Sequence, residues 1–287
     1  MEKVAIITDS CSDIKKEYRE LYDICVLPIQ IQYDGKRFRD GIDITSKEIY
    51  DIQDEKVIKT SSPVGEDLFN LLDQLKDEGY THVIGLFLSG GISGTSNQMR
   101  LFCQSYDDLT CHIVDSQSAS AGLGIIAVAL AKYKKEGKSF EELVKITDYL
   151  CQQNYAYFSI DDLNYLQKGG RIGKASAFLG TTLKIKPILS FEKESGEIFV
   201  PAKVRGSKKV KSKLIDLIEN HLKENPQQKF ALAIADANNL EERNELEKML
   251  KVRFPQFTYM IDCHVGAALS CYLGSGLLGA AIQFLPE

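Results

Sequence analysis

The sequence predicts an α/β protein of two domains, the first built on a mainly parallel sheet flanked by helices and the second on a mixed sheet. Three observations support this prediction. Short apolar runs of strand length alternate with longer segments that repeat apolar residues at helical spacing. Polar or glycine-rich turns follow several of the apolar runs, as at the carboxyl ends of parallel strands. The pattern changes after Asn154, which divides the chain into residues 1–155 and 156–287.

The first domain is predicted to consist of successive strand and helix units. Its first apolar run ends in Thr8-Asp9-Ser10, and Asp34-Gly35 is a hairpin turn further along. Thr45 or Ser46 is a suitable N-cap for a short helix. The predicted strands are 4–7, 24–33, 36–38, 83–88 and 112–116, and the predicted helices are 13–21, 45–52, 64–75, the segment after residue 95, 119–135 and 140–153.

The second domain repeats the alternation with more hairpin character. Ser195-Gly196 is a turn between two apolar runs. The tail 269–284 is apolar and rich in glycine, with the turn 272–276 at its centre. The predicted strands are 155–160, 183–191, 197–202, 230–235 and 258–261, and the predicted helices are 161–167, 207–223 and 240–252.

Composition excludes several classes of protein. The 287 residues are 44% hydrophobic and carry a net charge of −5, so there is no general basic field for nucleic acid. Seven scattered cysteines without a Cys-x-x-Cys pair indicate reduced thiols instead of disulfides or a zinc site. No apolar run is long enough to span a bilayer, and the N-terminus has no signal-peptide pattern. We expect a cytoplasmic protein with no metal, cofactor or stable membrane insertion.

Two turns rich in hydroxyl groups are the candidate ligand site. Residues 88–95 form a glycine-rich turn between the apolar run 83–87 and a helix, and Thr60-Ser61 precedes another predicted helix. Helix N-termini and neutral hydroxyl donors hold a carboxylate without a cation, and the apolar flanks favour a ligand with a charged head and an apolar body. The alternative, that Ser93 only caps its helix, carries about equal weight on local pattern.

A second alternative is an acyl-ester hydrolase with Ser93 as nucleophile. Gly91-Ile92-Ser93-Gly94-Thr95 resembles the Gly-x-Ser-x-Gly elbow of such enzymes, although position 95 is threonine instead of glycine. The four histidines lie in no recognisable motif, and spacing does not place His264 near Ser93.

A metal site is a separate alternative. Asp9, Asp13 and Asp115 follow predicted strands, but no further acidic or histidine cluster completes a metal-ligand set.

An ordered series of motifs, spread over essentially the whole chain, resembles the DegV family of bacterial fatty-acid-binding proteins. Any one motif is weak evidence, and the ordered series is highly specific. The motifs are Thr8-Asp9-Ser10, Thr60-Ser61-x-Pro63, Leu88-Ser89-x-Gly91-Ile92-Ser93-Gly94-Thr95, Asp115-Ser116, Asp161-Asp162-Leu163-x-x-Leu166-x-Lys168-Gly169-Gly170-Arg171-Ile172, Leu183-Lys184-Ile185-Lys186-Pro187-Ile188-Leu189, Lys203-Val204-Arg205 and Leu273-Gly274-Ser275-Gly276-x-Leu278-Gly279.

The resemblance implies a carrier without catalytic activity of its own. A long-chain fatty acid such as palmitate would lie in an apolar tunnel between the domains, and a separate fatty acid kinase would phosphorylate its carboxylate. The carboxylate would be held by Thr60, Ser61, Ser93, Gly94 and Tyr272, and Arg171 would belong to the docking surface for the kinase. Tyr272 stands where the family commonly has histidine, and a phenol donates one hydrogen bond without becoming a cation near neutral pH.

Overall fold

The computed structural model describes residues 2–180 and 185–287. Two residues of the predicted strand 183–191, Leu183 and Lys184, lie outside these ranges. Nowhere in the described ranges does a helix have the length and apolar character needed to cross a membrane. The strands are β1 (Val4–Asp9), β2 (Ile24–Leu27), β3 (Gln30–Tyr33), β4 (Lys36–Arg39), β5 (Lys59–Ser61), β6 (His82–Phe87), β7 (Thr110–Asp115), β8 (Asn154–Ser159), β9 (Ile185–Phe191), β10 (Ile198–Arg205), β11 (Phe230–Asp236), β12 (Met260–His264) and β13 (Leu278–Phe284).

Apart from the last helix, which the sequence did not predict, the helices lie close to the predicted positions and differ mainly at their ends. They are α1 (Lys16–Tyr22), α2 (Ser46–Ile52), α3 (Gly65–Asp77), α4 (Thr95–Gln104), α5 (Ala121–Lys135), α6 (Phe140–Gln152), α7 (Asn164–Lys168), α8 (Val210–Glu224), α9 (Leu240–Arg253) and α10 (Ala267–Leu273). Thr45 caps α2 through a capping box with Glu48, which confirms the predicted cap.

The first sheet is parallel and has the strand order β2-β1-β6-β7. Ile6 pairs with Ile24 on one side and with Ile84 on the other, and Phe87 pairs with Asp115. The carboxyl ends of these strands therefore meet along one edge. The sequence prediction of a mainly parallel N-terminal sheet is confirmed.

The second sheet is mixed and has the order β10-β9-β8-β13-β11-β12. Only β11 and β12 run parallel to each other among its described neighbours. The apolar, glycine-rich tail 269–284, to which the sequence assigned no helix or strand, contains the end of α10 and the whole of β13. β13 lies between β8 and β11, so the last part of the chain supplies an interior strand of this sheet.

A small third sheet, β4-β3-β5, corrects two predictions. The predicted strand 24–33 is two strands in different sheets, separated at Pro28, because proline lacks the N–H that a strand interior requires. The predicted turn at 59–61 is β5, and Thr60 pairs with Ile31. This sheet brings Thr60 onto a regular element instead of a loop.

Helix α5 lies at the centre of the molecule. All residues from Ala121 to Ala131 are buried, and α5 packs against strands of both large sheets. A helix that is apolar on every side is typical of such an interior position. One apolar core extends from Val4 to Leu285 across both sheets. The boundary predicted between residues 155 and 156 stays a prediction.

Candidate functional site

A cavity of about 540 Å³ lies where the carboxyl edge of the first sheet faces the second sheet. Its wall includes all five residues that the sequence predicts to hold a carboxylate, and it also includes Arg171. These predicted residues are Thr60, Ser61, Ser93, Gly94 and Tyr272. The structure therefore brings together two hydroxyl-bearing segments and a helix that are far apart in the sequence.

The turn that carries Ser93 is held by two buried or partly buried carboxylates at the sheet edge. Asp9, at the end of β1, accepts a hydrogen bond from the Leu88 N–H at 2.9 Å. Asp115, at the end of β7, accepts one from the Gly90 N–H at 2.9 Å. Both acids thus position the turn from the two parallel strands that flank β6, so their role is to hold the backbone.

Glycine is required where this turn meets the second sheet. A Cβ atom on Gly91 would lie 2.2 Å from the carbonyl carbon of Gly196, in the turn between β9 and β10. The Ser89 hydroxyl donates to the Gly196 carbonyl oxygen at 2.7 Å beside this contact. The turn is therefore fixed between the two sheets.

A chain of hydroxyls joins the two predicted segments. The Ser93 and Thr95 hydroxyl oxygens lie 2.8 Å apart, and the Thr95 hydroxyl donates to Ser62 at 3.1 Å. Ser93 also accepts from the Thr95 N–H at 3.2 Å. The N-cap of α4 is Gly94, and no side chain caps it. The alternative that Ser93 is the helix N-cap is wrong, because the helix begins one residue later than that alternative requires.

Tyr272 meets Thr60 at the other side of the cavity. Their hydroxyl oxygens lie 2.6 Å apart, which joins α10 to β5. The Tyr272 ring packs closely against Gly169, where an added Cβ would lie 2.2 Å from the ring. The contacts with Thr60 and Gly169 therefore restrict the position of the Tyr272 ring.

Arg171 supplies positive charge to this part of the cavity. Its guanidinium carbon lies 5.1 Å from the centre of the Tyr272 ring, a cation–π distance. Its Nε donates to the Ile92 carbonyl oxygen at 3.4 Å, and its other end donates to the Gly169 carbonyl oxygen. It is the one charged side chain that lines the cavity within the described part of the chain. Sequence reasoning assigned Arg171 to docking alone and did not foresee this position.

The remaining wall of the cavity is apolar and closely packed. Its buried residues come from the start of α5, from β8 and β13, and from α7 and α10. They include Ala119, Ala121, Leu166, Ala268, Leu269, Leu273, Leu277, Ala280 and Ala281. In contrast, Ser61 and Gly94 are exposed at the polar end. The cavity thus has one exposed, polar end and an apolar interior.

The acids below the polar end have pKa values above the ordinary range. Burial raises the pKa of Asp9 to about 7 and the pKa of Asp13 to about 8. Burial also raises the pKa of Asp40, which is 4% exposed. These groups are close enough to repel one another when charged. In the described ranges, no group of three or more histidine, cysteine, aspartate or glutamate side chains is placed to hold a metal ion.

No histidine lines the cavity in the described ranges, so Ser93 has no imidazole beside it. Each histidine contacts another side chain instead: His82 contacts Thr81, His112 contacts Asp148, His221 contacts Tyr157 and His264 contacts Asp236. A serine nucleophile needs a base within hydrogen-bond reach. The hydroxyl of Ser93 instead contacts Thr95, whose own hydroxyl donates to Ser62.

Sequence reasoning did not select two other polar residues of the wall, Ser62 and Gln98. Ser62 follows Thr60-Ser61 directly, so the run of hydroxyls was an available signal. Gln98 lies one turn into α4, on the side that faces Gly94. Its position depends on where the helix begins.

Comparison with known proteins identifies relatives along the whole chain. The family model described as "Uncharacterised protein, DegV family" matches residues 3–285. A DegV domain-containing protein of Clostridium perfringens is 34% identical over 283 residues, covering 99% of each chain.

Solved structures show the same fold. A fatty-acid-binding DegV family protein from Thermus thermophilus aligns with a TM-score of 0.90 at 26% identity, covering 99% of this chain and 100% of that one. DegV from Bacillus subtilis, described as a fatty acid binding protein, aligns with a TM-score of 0.87 at 30% identity, with the same coverage. With the family model matched from end to end, this chain belongs to the DegV family.

Proposed function

We propose that the protein binds a long-chain fatty acid, with the carboxylate at the hydroxyl-lined end of the cavity and the acyl chain in its apolar interior. The observation that carries this proposal is the polarity of the cavity, which has Thr60, Ser93 and Tyr272 at one end and buried aliphatic residues elsewhere. The related proteins of Thermus thermophilus and Bacillus subtilis, which are described as binding fatty acids, support it.

The acyl chain supplies most of the binding free energy. Burial of about 15 methylene groups at about 0.8 kcal/mol each gives on the order of 12 kcal/mol before the costs of association. A buried carboxylate without hydrogen bonds would cost several kcal/mol. Hydroxyls and the open N-terminus of α4 offset that cost. The polar end therefore sets the orientation of the ligand and selects acids over neutral alkanes.

We further propose that the carboxylate is presented to a fatty acid kinase that forms an acyl phosphate, the partner implied by the resemblance. Its support is the exposure of Ser61 and Gly94, which leaves the polar end accessible from outside. Arg171 is partly buried at this end and remains our candidate for part of the docking surface. The protein itself then supplies no catalytic group.

Native mass spectrometry of the purified protein, followed by lipid extraction, tests the binding proposal. We expect one long-chain fatty acid per chain, and palmitate should rebind after the lipid is removed. A protein that carries no lipid and does not bind palmitate would contradict the proposal. Hydrolysis of aryl esters that is lost in Ser93→Ala would favour the esterase alternative instead.

Acyl-phosphate formation with a purified fatty acid kinase tests the presentation proposal. We expect Arg171→Ala to reduce product formation while palmitate remains bound. Lys174→Ala is a matched control, because Lys174 is exposed and pairs with Glu192. Loss of palmitate from Arg171→Ala would show that Arg171 acts on the ligand instead of the partner.

A further inference from the structure

Helix α10 places Tyr272 at the polar end of the cavity, and residues far away in the sequence bind the N-terminus of this helix. The helix has only seven residues, and its N-cap is Gly266, which has no side chain. The first N–H groups of a helix have no partner within the helix. Here two acids from the first 40 residues of the chain accept them.

Asp13 accepts a hydrogen bond from the Gly266 N–H at 2.9 Å, and Asp40 accepts one from the Ala267 N–H at 2.9 Å. The fit is close, because a Cβ atom on Gly266 would lie 2.8 Å from Asp13 Oδ1. Carboxylates at a helix N-terminus also interact favourably with the helix dipole. The two acids thus fix where α10 begins.

Each acid is itself held in place. The Ser10 hydroxyl donates to Asp40 at 2.7 Å and accepts from the Ile29 N–H at 3.0 Å. The Ser120 hydroxyl donates to Asp13 at 2.5 Å. Asp13 and Ser120 both have positive φ, at 50° and 49°, an uncommon conformation for residues other than glycine. Such conformations persist where the surrounding structure fixes them, often at ligand sites.

The small sheet holds both ends of α10. Asp40 follows β4 directly and contacts the start of the helix. Thr60 on β5 contacts Tyr272 near the end of the helix, at 2.6 Å between oxygens. At a rise of about 1.5 Å per residue, the five steps from Ala267 to Tyr272 span about 7.5 Å. A shift at the first turn of so short a helix is therefore transmitted to the Tyr272 hydroxyl.

We infer that Asp13 and Asp40 are positioning residues that set the place of the Tyr272 hydroxyl, and so tune recognition of a fatty acid carboxylate that neither acid touches. This inference rests on the proposed function. The Ser270 hydroxyl donates to Tyr50 at 3.0 Å and adds a fourth contact between α10 and the N-terminal part of the chain.

A double-mutant cycle on palmitate affinity tests the inference, with the delipidated full chain and calorimetric titration. We expect Asp40→Ala, which removes the acceptor of the Ala267 N–H, and Tyr272→Phe each to weaken palmitate binding about fivefold, the effect of one hydrogen bond. If Asp40 acts through Tyr272, the double variant should be about five- to tenfold weaker than wild type. Independent effects would multiply to about 25-fold and would overturn the inference. Asp13→Ala should show the same coupling.

Two further variants keep the test decisive. Asp43→Asn is the matched control, since Asp43 is exposed, pairs with Arg39 and does not contact α10; its affinity should equal that of wild type. If Asp40→Ala does not fold, Ser10→Ala removes one support of Asp40, and we expect about twofold weaker binding that disappears in the Tyr272→Phe background. An effect of Ser10→Ala that persists in that background would overturn the inference.

The outcome also separates this inference from the proposed function. Wild type that binds no palmitate would overturn both. Wild type that binds palmitate, with independent effects in the cycle, would overturn only the positioning role of the two acids. An unfolding temperature for each variant shows whether a change in affinity merely follows a change in stability.

Discussion

The two ends of the cavity are built on different principles. The polar end consists of partly exposed side chains held by directional hydrogen bonds, such as the 2.6 Å contact of Thr60 with Tyr272. The interior consists of small buried residues such as Ala281, which is 1% exposed and has no polar side-chain group. The interior therefore governs how much of a ligand can be buried, while the polar end governs which way the ligand enters.

The largest expected effect comes from filling the interior. Ala281→Phe should weaken palmitate binding about 100-fold, because excluding about four methylene groups at about 0.8 kcal/mol each removes about 3 kcal/mol. Calorimetric titration with palmitate and with octanoate measures the effect, and octanoate is the control because its chain is shorter. Equal losses for both acids would show that Ala281 does not limit chain length.

The acids that hold the polar end should make stability depend on pH. The folded-state pKa values of Asp9 and Asp13, about 7 and about 8, lie above the ordinary value of 3.8 for an aspartate. Between pH 4 and 8 the folded protein therefore binds more protons than the unfolded chain, and its stability falls as the pH rises. We expect the free energy of unfolding to drop by on the order of 2 kcal/mol from pH 6 to pH 7.

Urea unfolding at several pH values measures this drop. Asp9→Asn should reduce the slope of stability against pH, because an amide does not titrate. Asp43→Asn should leave the slope unchanged, since the pKa of Asp43 is about 2, lowered by its hydrogen bond to Arg39. A free energy of unfolding of the wild type that rises between pH 6 and pH 8.5 would contradict the raised pKa values of Asp9 and Asp13.

A smaller effect is expected from the removal of one hydroxyl at the polar end. Ser93→Ala should weaken palmitate binding about tenfold, because a hydrogen bond to a charged group contributes about 1.5 kcal/mol or more. Ser105→Ala is the matched control: it lies at the other end of α4 and is exposed. Hexadecanol should bind both variants equally, since it has no carboxylate. A loss of hexadecanol affinity in Ser93→Ala would mean that Ser93 supports the interior as well.

The smallest effect is expected at Gly94, and it separates two glycines of one turn. A Cβ on Gly94 has no atom within 4 Å, so Gly94→Ala should leave the unfolding temperature within about one degree of wild type. Gly91→Ala should destabilise the protein by about 2 kcal/mol or more, because its Cβ would overlap the backbone of Gly196. Thermal unfolding of both variants compares them, and similar midpoints would contradict the close packing at Gly91.

The sequence predicted those features that depend on local pattern. Periodicity found most helices, and the first sheet followed from the alternation of strands and helices. Short hydroxyl-rich stretches of the sequence were the signal that selected Thr60, Ser61, Ser93 and Gly94. Their meeting in one cavity needed the structure, because it depends on β5 pairing with β3 and on the Thr95 contact with Ser62.

Features that depend on distant partners were missed. Residues 278–284, which include Gly279, Ala280 and Ala281, have weak strand character, yet β13 is interior to the second sheet because small residues let α5 pack closely on it. Arg171 was placed on a docking surface because the resemblance to the DegV family implies one. Its contact with Tyr272 joins positions about 100 residues apart, which no spacing rule anticipates.

The cavity interrupts a core that both sheets share, and this has a consequence for the life of the protein in a cell. An empty cavity leaves its lining without packing partners, and a bound chain restores them. A ligand present at 100 times its Kd adds about 2.7 kcal/mol of stability by mass action. The unloaded form should therefore open more often and be degraded sooner. The amount of this protein in the cell would then follow the supply of its proposed fatty acid ligand, without a separate regulator.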